Sequence, residues 1–233
     1  MNQHHRVGII TGLAREAQCF QRQEADERLK VVCVAADAAR AAAAARELAG
    51  PAGCCGLVSF GVAGGLAPGV QPGALLVPDS VVTLQGETLA TDSRWRRRLI
   101  DGLNWPLPPI AERILGTDSA IDSAEHKLCL WRQTGAHAVD MESHAVARAA
   151  VAADVPFLVI RAMADPCQRD IPLWLSATIT DDGTPDLGAV LAGLLQRPWH
   201  LPRLTVLGLD FRRAIKTLRR VALRGQPLFF FPG

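Results

Sequence analysis

The sequence predicts an α/β layered fold, on three observations. Short apolar, β-branched runs recur along the chain, helix-forming segments separate them, and 233 residues at 49% hydrophobic content suffice for one domain with a substantial core.

In chain order, the runs that read as buried strands are Val7 to Thr11, Val31 to Ala35, Leu57 to Phe60, Leu75 to Pro78 and Phe157 to Ile160. Helices are expected at the Ala-rich Ala38 to Ala49, closed by Gly50-Pro51, and at Ser143 to Ala153, which opens on a capping-competent serine. Residues 80 to 135 show weaker periodicity, with Pro106, Pro108, Pro109 and the basic run Arg94-Trp95-Arg96-Arg97-Arg98, so loops and short helices are expected there. No internal repeat is visible, and the Ala run at 41 to 45 reads as helix. The expected division is a catalytic domain over 1–198 and a tail over 199–233.

Charge is distributed unevenly. Between residues 203 and 224, seven Arg or Lys face the single Asp210, a net +6 within a whole-chain +2, which leaves −4 for the rest. The basic character therefore belongs to the tail. No apolar run reaches 18 residues and the start MNQHHRVGIITG lacks a signal-peptide pattern, so a cytoplasmic location is expected. The six cysteines, Cys19, Cys33, Cys54, Cys55, Cys129 and Cys167, show no zinc-ligand spacing, and most of them read as small buried hydrophobes.

Four segments could carry chemistry. Gly61-Val62-Ala63-Gly64-Gly65-Leu66 follows an apolar strand, where small residues let a ligand approach the backbone. It is no nucleotide fingerprint, because Ala63 occupies the second glycine position of G-x-G-x-x-G, and Ser59 misses the nucleophile elbow by one residue. Alone it reads equally as a turn. Ala138-Val139-Asp140-Met141-Glu142-Ser143 sets two carboxylates and a methionine where an apolar run meets a helix, a place where acids are also common as dipole-favoured decoration. Arg161-Ala162-Met163-Ala164-Asp165 follows the strand ending at Ile160, at the end that faces the crevice of an α/β sheet, although an Arg and an Asp four apart equally make a structural ion pair. Gly8 to Glu16 leads from the first strand through a glycine turn to a carboxylate. A metal site from His137, Glu142 and His144 has suitable spacing, but helix geometry does not force those side chains together. No metal and no cofactor are expected.

Taken together, Glu16, Ala63-Gly64-Gly65-Leu66, Val139-Asp140-Met141-Glu142 and Arg161-Ala162-Met163-Ala164-Asp165 resemble, in order and spacing, the nucleoside phosphorylase superfamily over roughly residues 6 to 195. The methylthioadenosine/S-adenosylhomocysteine nucleosidase branch is the nearest pattern. The resemblance implies a three-layer α/β/α fold with a mixed central sheet, and cleavage of the bond between ribose C1′ and a purine nitrogen through an oxocarbenium-like transition state. It implies that Asp165 is the general acid on the purine, since a purine leaves poorly unless a ring nitrogen is protonated. By the same resemblance Glu142 hydrogen-bonds the ribose hydroxyls, Met141 packs on sugar and base, and Glu16 activates water. Val62, Ala63, Gly64 and Arg161 would contact substrate, and Asp118, in a loose local match, would contact the base.

One departure bears on the nucleophile. The family commonly has Ser or Thr after the first glycine of its loop, and Val62 cannot hydrogen-bond phosphate. Glu16 beside an incoming phosphate dianion would repel it. Hydrolysis is favoured, while Arg15 and Arg161 leave phosphorolysis open, with phosphate then a co-substrate. The joint presence of Glu16, Glu142 and Asp165 argues against a non-catalytic nucleoside-binding or membrane-associated scaffold.

In the tail, Phe211, Ile215, Leu218 and Ala222 repeat at helical spacing, with Arg212, Arg213, Lys216, Arg219, Arg220 and Arg224 on the other side. The helix is expected to end at Gly225, before Pro227-Leu228-Phe229-Phe230-Phe231. Its apolar stripe fits docking on the domain or a partner subunit, or on the inner membrane surface, where each basic residue contributes about 1 kcal/mol. No nucleic-acid-binding signature accompanies it. A shortened domain with such a tail resembles the squalene/phytoene/hopanoid-associated phosphorylase subgroup, which implies a lipid-linked purine nucleoside, adenosylhopane, as substrate and adenine as product. A homo-oligomer is implied by the superfamily resemblance.

Overall fold

The computed structural model describes residues 6–23, 26–176, 178 and 180–230. Along the chain it forms β1 (Arg6–Thr11), α1 (Ala14–Ala17), β2 (Leu29–Cys33), α2 (Ala38–Ala49), β3 (Cys54–Gly65), β4 (Leu75–Leu76) and β5 (Ser80–Thr83). Then follow β6 (Thr88–Ala90), α3 (Ser93–Leu103), β7 (Ile114–Gly116), α4 (Ala124–Thr134), β8 (Ala138–Asp140), α5 (Ser143–Ala152) and β9 (Phe157–Asp165). The chain closes with α6 (Leu173–Ser176), α7 (Leu187–Gln196) and α8 (Leu201–Phe229). Local signals start the helices: Asp37, Asp92, Ser123 and Asp186 each accept a hydrogen bond from a backbone N–H of the helix they precede.

The sheet is mixed, in the order β2-β1-β3-β8-β7-β5-β6, with β9 and then β4 leaving from β3. Strand β3 organises it. Its residues 57–59 pair with β1 and β9 at once, and Gly64 pairs with β8 and β9 at once. Strands β1 and β8 therefore share one edge of β3, and β9 runs along the other. One face carries Leu57, Ala63, Val159 and Met163 against α2 and α5, and the opposite face carries Val58, Phe60, Leu158 and Ile160 against α3 and α8. These are the three layers and the mixed sheet that the family resemblance implied.

Three local expectations differ from the structure. Residues 80 to 135 hold β5, β6, β7 and two eleven-residue helices rather than loops and short helices. Strands of three or four residues are too short to display a period, and the basic run of α3 conceals Trp95, Leu99 and Leu103, all buried at i, i+4 and i+8. Secondly, Gly61 to Gly65 is strand, not loop, and Arg161 to Asp165 lies within β9 rather than after it, because the two segments pair with each other along their length.

The third concerns the tail. Helix α8 does not stop at Gly225, where the small residue allows contact with the Phe229 ring, but continues to Phe229. Its stripe is already occupied: Ala214, Leu218, Val221, Ala222 and Phe229 are fully buried, with Phe211 and Ile215 half-buried, in the core shared with α3 and β9. Thr217 Oγ1 donates to the Gly73 carbonyl at 2.7 Å, and Phe229 packs on Phe20 at 5.7 Å between ring centroids. Phe231 lies outside the described residues. Among the described residues no helix is long and apolar enough to cross a membrane. The six cysteines are all free.

Candidate functional site

Alternation along paired strands assembles the site. The α5-facing positions of β3 are Ser59, Gly61 and Ala63, and those of β9 are Arg161, Met163 and Asp165, so polar groups succeed apolar ones toward the C-terminal ends. Glu142 flanks the first residue of α5, at the positive end of its dipole, and Asp140 ends β8 just before it. Glu16 enters from α1, directly after β1.

Arg161 is the hub and is fully buried. Its Nε donates to Asp140 Oδ2 at 2.5 Å, and its Nη2 donates to Ser59 Oγ at 2.7 Å and to Glu142 Oε2 and Ser143 Oγ at 3.2 Å. Ser143 Oγ also donates to Asp140 Oδ2, and Ser143 N to Asp140 Oδ1 at 3.1 Å. Glu16 is fixed by two backbone donors, Leu13 N–H to Oε2 and Val62 N–H to Oε1, both at 2.8 Å. Two glycines make room for these carboxyl groups. A Cβ at Gly12 would sit 2.6 Å from Glu142 Oε1, and one at Gly61 would sit 2.7 Å from both Glu16 oxygens.

The electrostatics follow from burying three carboxyl groups around one cation. Burial pushes Glu142 up to about 8; Arg161 opposes the shift, while Asp140 and Glu16 add to it. Burial also raises Glu16, against Arg161 and the backbone donors. Burial disfavours the Arg161 cation, but Asp140, Glu142 and Glu16 outweigh it and keep the guanidinium charged. Arg161 Nη1 is buried with no partner among the described residues.

Asp165 is buried at the far end of the same β9 face. Its Oδ2 accepts from Lys127 Nζ, whose side chain is fully buried and which also donates to the Arg169 carbonyl at 2.9 Å. Burial raises Asp165 and the Lys127 charge opposes that rise. Sequence reasoning missed Lys127. The available signal was a lone cation on the apolar face of α4, three residues before the buried Leu130.

The expected site residues do not all converge. Glu16, Glu142 and Arg161 form one cluster, to which Asp140 and Ser59 are additions. Val62 contributes its backbone N–H, while its side chain packs toward the α3 and α8 core, and Ala63 lies in the core under α5. Gly64 lies against Asp165, where a Cβ would be 3.5 Å from Oδ1, and Met141 is half-exposed. The Asp118 side chain is 86% exposed and reaches His144 Nε2 at 3.0 Å. Arg15 is exposed and takes no part in the cluster. Among the described residues no group of three or more His, Cys, Asp or Glu could hold a metal ion.

Beside this cluster lies the segment leading into α7. Gly183 O accepts from Ala14 N at 3.1 Å, and Arg40 Nη2 donates to Asp181 at 2.7 Å, so this segment is stapled to the β1–α1 turn that carries Glu16.

The family model described as the phosphorylase superfamily matches residues 28–195. No curated protein matches the chain. Among solved structures, it is similar to the 5′-methylthioadenosine/S-adenosylhomocysteine nucleosidase of Helicobacter pylori, at TM-score 0.71 and 15% identity over 96% of this chain and 97% of that one. A putative nucleosidase of the same kind from Francisella philomiragia matches at TM-score 0.70 and 16% identity, over 96% and 98%. The futalosine hydrolase of Helicobacter pylori matches at TM-score 0.69 and 16% identity, over 95% and 98%.

Proposed function

Because the chain belongs to the phosphorylase superfamily, we propose that it hydrolyses the N-glycosidic bond of a purine nucleoside and releases adenine, with adenosylhopane of hopanoid side-chain synthesis as the substrate. The observation that carries hydrolysis is the gathering of Glu16, Asp140 and Glu142, all buried, around Arg161 as their shared cation. With Asp140 matched by Arg161 and Glu142 holding its proton below about 8, the Glu16 carboxylate favours positive charge developing at C1′ and disfavours an incoming phosphate dianion; like charges about 4 Å apart repel by about 4 kcal/mol at the effective dielectric of a protein site. The Val62 N–H is moreover engaged by Glu16 and is not free for an anion.

In this reading Asp165 gives its proton to a ring nitrogen as the C1′–N electron pair leaves with the purine. Water forms the new C1′–O bond and passes a proton to Glu16, whose burial raises its proton affinity as a base requires. Glu142 holds the ribose hydroxyls from the head of α5.

The lipid-linked substrate draws support from the surface. Helix α7 carries no charged residue, and Leu191 and Leu195 on α7, Trp199 in the turn that follows it, and Leu201, Val206 and Leu209 at the start of α8 are exposed. Arg197, Arg203, Arg212 and Lys216 accompany them, and the one acid from 187 onward, Asp210, is buried. This pattern suits an anionic membrane surface better than the stripe that α8 turns inward, and the staple at Gly183 keeps it beside the Glu16 turn. The reading includes a homo-oligomer, which light scattering reads directly.

A specific observation favours a second reading, phosphorolysis: the unpartnered Arg161 Nη1 could take a phosphate oxygen. The deciding experiment follows purine release from adenosine and from adenosine with a lipophilic 5′ substituent, with and without phosphate. Free ribosyl product without phosphate, faster for the lipophilic substrate, is expected. Strict phosphate dependence with a sugar 1-phosphate product establishes phosphorolysis instead, and no release from either substrate points to a non-catalytic scaffold.

A further inference from the structure

We infer that Lys127 is the positioning residue that makes Asp165 an effective proton donor, fixing its carboxyl group and neutralising the charge that forms there as the purine takes the proton. The inference rests on the reading of Asp165 given above.

Lys127 sits in the first turns of α4 with its side chain fully buried, a placement that a lysine adopts only with a partner. Two acceptors hold its ammonium: Asp165 Oδ2 and, at 2.9 Å, the Arg169 carbonyl. That leaves Asp165 Oδ1, which accepts no hydrogen bond among the described residues, for a ligand. The other groups facing Asp165 are Arg169, Asp210 and the thiol of Cys167. Arg169 shares Asp210 with Arg213, which binds that carboxylate at 2.7 Å, and it acts on Asp165 less than Lys127 does. Lys127 is the cation in direct contact with the Asp165 carboxyl group.

During the reaction the O–H bond of Asp165 breaks, the proton forms an N–H bond on the purine, and Asp165 becomes a carboxylate. In a buried site a contact with a fixed ammonium strengthens as that negative charge develops, so it stabilises the transition state more than the ground state. The Lys127 proton need not leave nitrogen.

The test compares wild type, Lys127→Met and Lys127→Arg on two substrates, adenosine and nitrophenyl riboside, whose leaving group departs without protonation. Lys127→Met is expected to lower kcat for adenosine about 100-fold, the size typical of removing one such stabilising group, and to leave nitrophenyl riboside turnover unchanged. The falling limb of its kcat–pH profile on adenosine is expected to move to higher pH, since burial then acts on Asp165 against the weaker pull of Arg169 alone. Lys127→Arg, which keeps the charge, is expected to restore most adenosine turnover. Should the methionine variant fail to fold, Lys127→Gln, a donor without charge, reads the same ratio of substrates. Equal losses on both substrates, or a full adenosine rate with an unmoved pH limb, overturn the inference alone. Wild type that releases no purine overturns the functional reading and this inference with it.

Discussion

Replacing Gly61 by alanine tests how the candidate base is positioned. A methyl carbon there would lie 2.7 Å from both Glu16 oxygens, about 0.8 Å inside the ~3.5 Å at which carbon meets a non-bonded atom without penalty. Because both oxygens are equally close, rotating the carboxyl group brings no relief. The 2.8 Å bonds from Leu13 N–H and Val62 N–H oppose a translation, so at least one must stretch or break. A catalytic group misplaced by about 1 Å costs about 10²-fold in rate. Stability should change little: one hydrogen bond contributes about 1 kcal/mol, and removing a glycine from a strand returns about 0.5–1 kcal/mol. The assay is kcat for purine release set beside thermal stability, with Glu16→Gln as the reference for loss of the carboxylate. Full kcat in Gly61→Ala alongside an inactive Glu16→Gln would refute the claim that close approach over Gly61 positions Glu16.

Arg161→Met removes the shared cation from buried carboxyl groups and is expected to cost about 3–5 kcal/mol in urea unfolding; a loss below 1 kcal/mol would mean that the groups protonate at no cost. Glu142, held up to about 8 against an ordinary 4.5, binds its proton more tightly folded than unfolded. That stabilisation is complete below about 4.5 and lost as pH rises to about 8, so the melting temperature of wild type should fall across this window more than that of Glu142→Gln, and equal slopes would count against the raised carboxyl. In flotation with vesicles, wild type should bind those containing anionic lipid and release them as salt rises, whereas Leu195→Glu with Trp199→Glu should bind about 10-fold less; undiminished binding by that double variant removes α7 from the membrane reading.

The sequence by itself determined the fold class, because apolar runs and helical stretches are local or periodic features. Apolar runs mark β1, β2, β3 and β9, the Ala-rich run with its glycine marks α2, and the resemblance to the superfamily in order and spacing pointed to Glu16, Glu142, Arg161 and Asp165. The short strands β5, β6 and β7 escaped because three or four residues carry no period, and α3 hid its buried face behind arginines. Tertiary structure alone decided who pairs with whom. Asp140 and Ser59 join Arg161, and Lys127 meets Asp165 across 38 positions, because sheet register and the seat of α4 bring them together. The same holds for the tail: an amphipathic stripe specifies that it must be covered, and only the packed molecule shows that β9 and α3 cover it, leaving α7 and the start of α8 as the apolar surface that faces outward. Burial is a property of the neighbours a residue acquires, and those neighbours are distant in the chain.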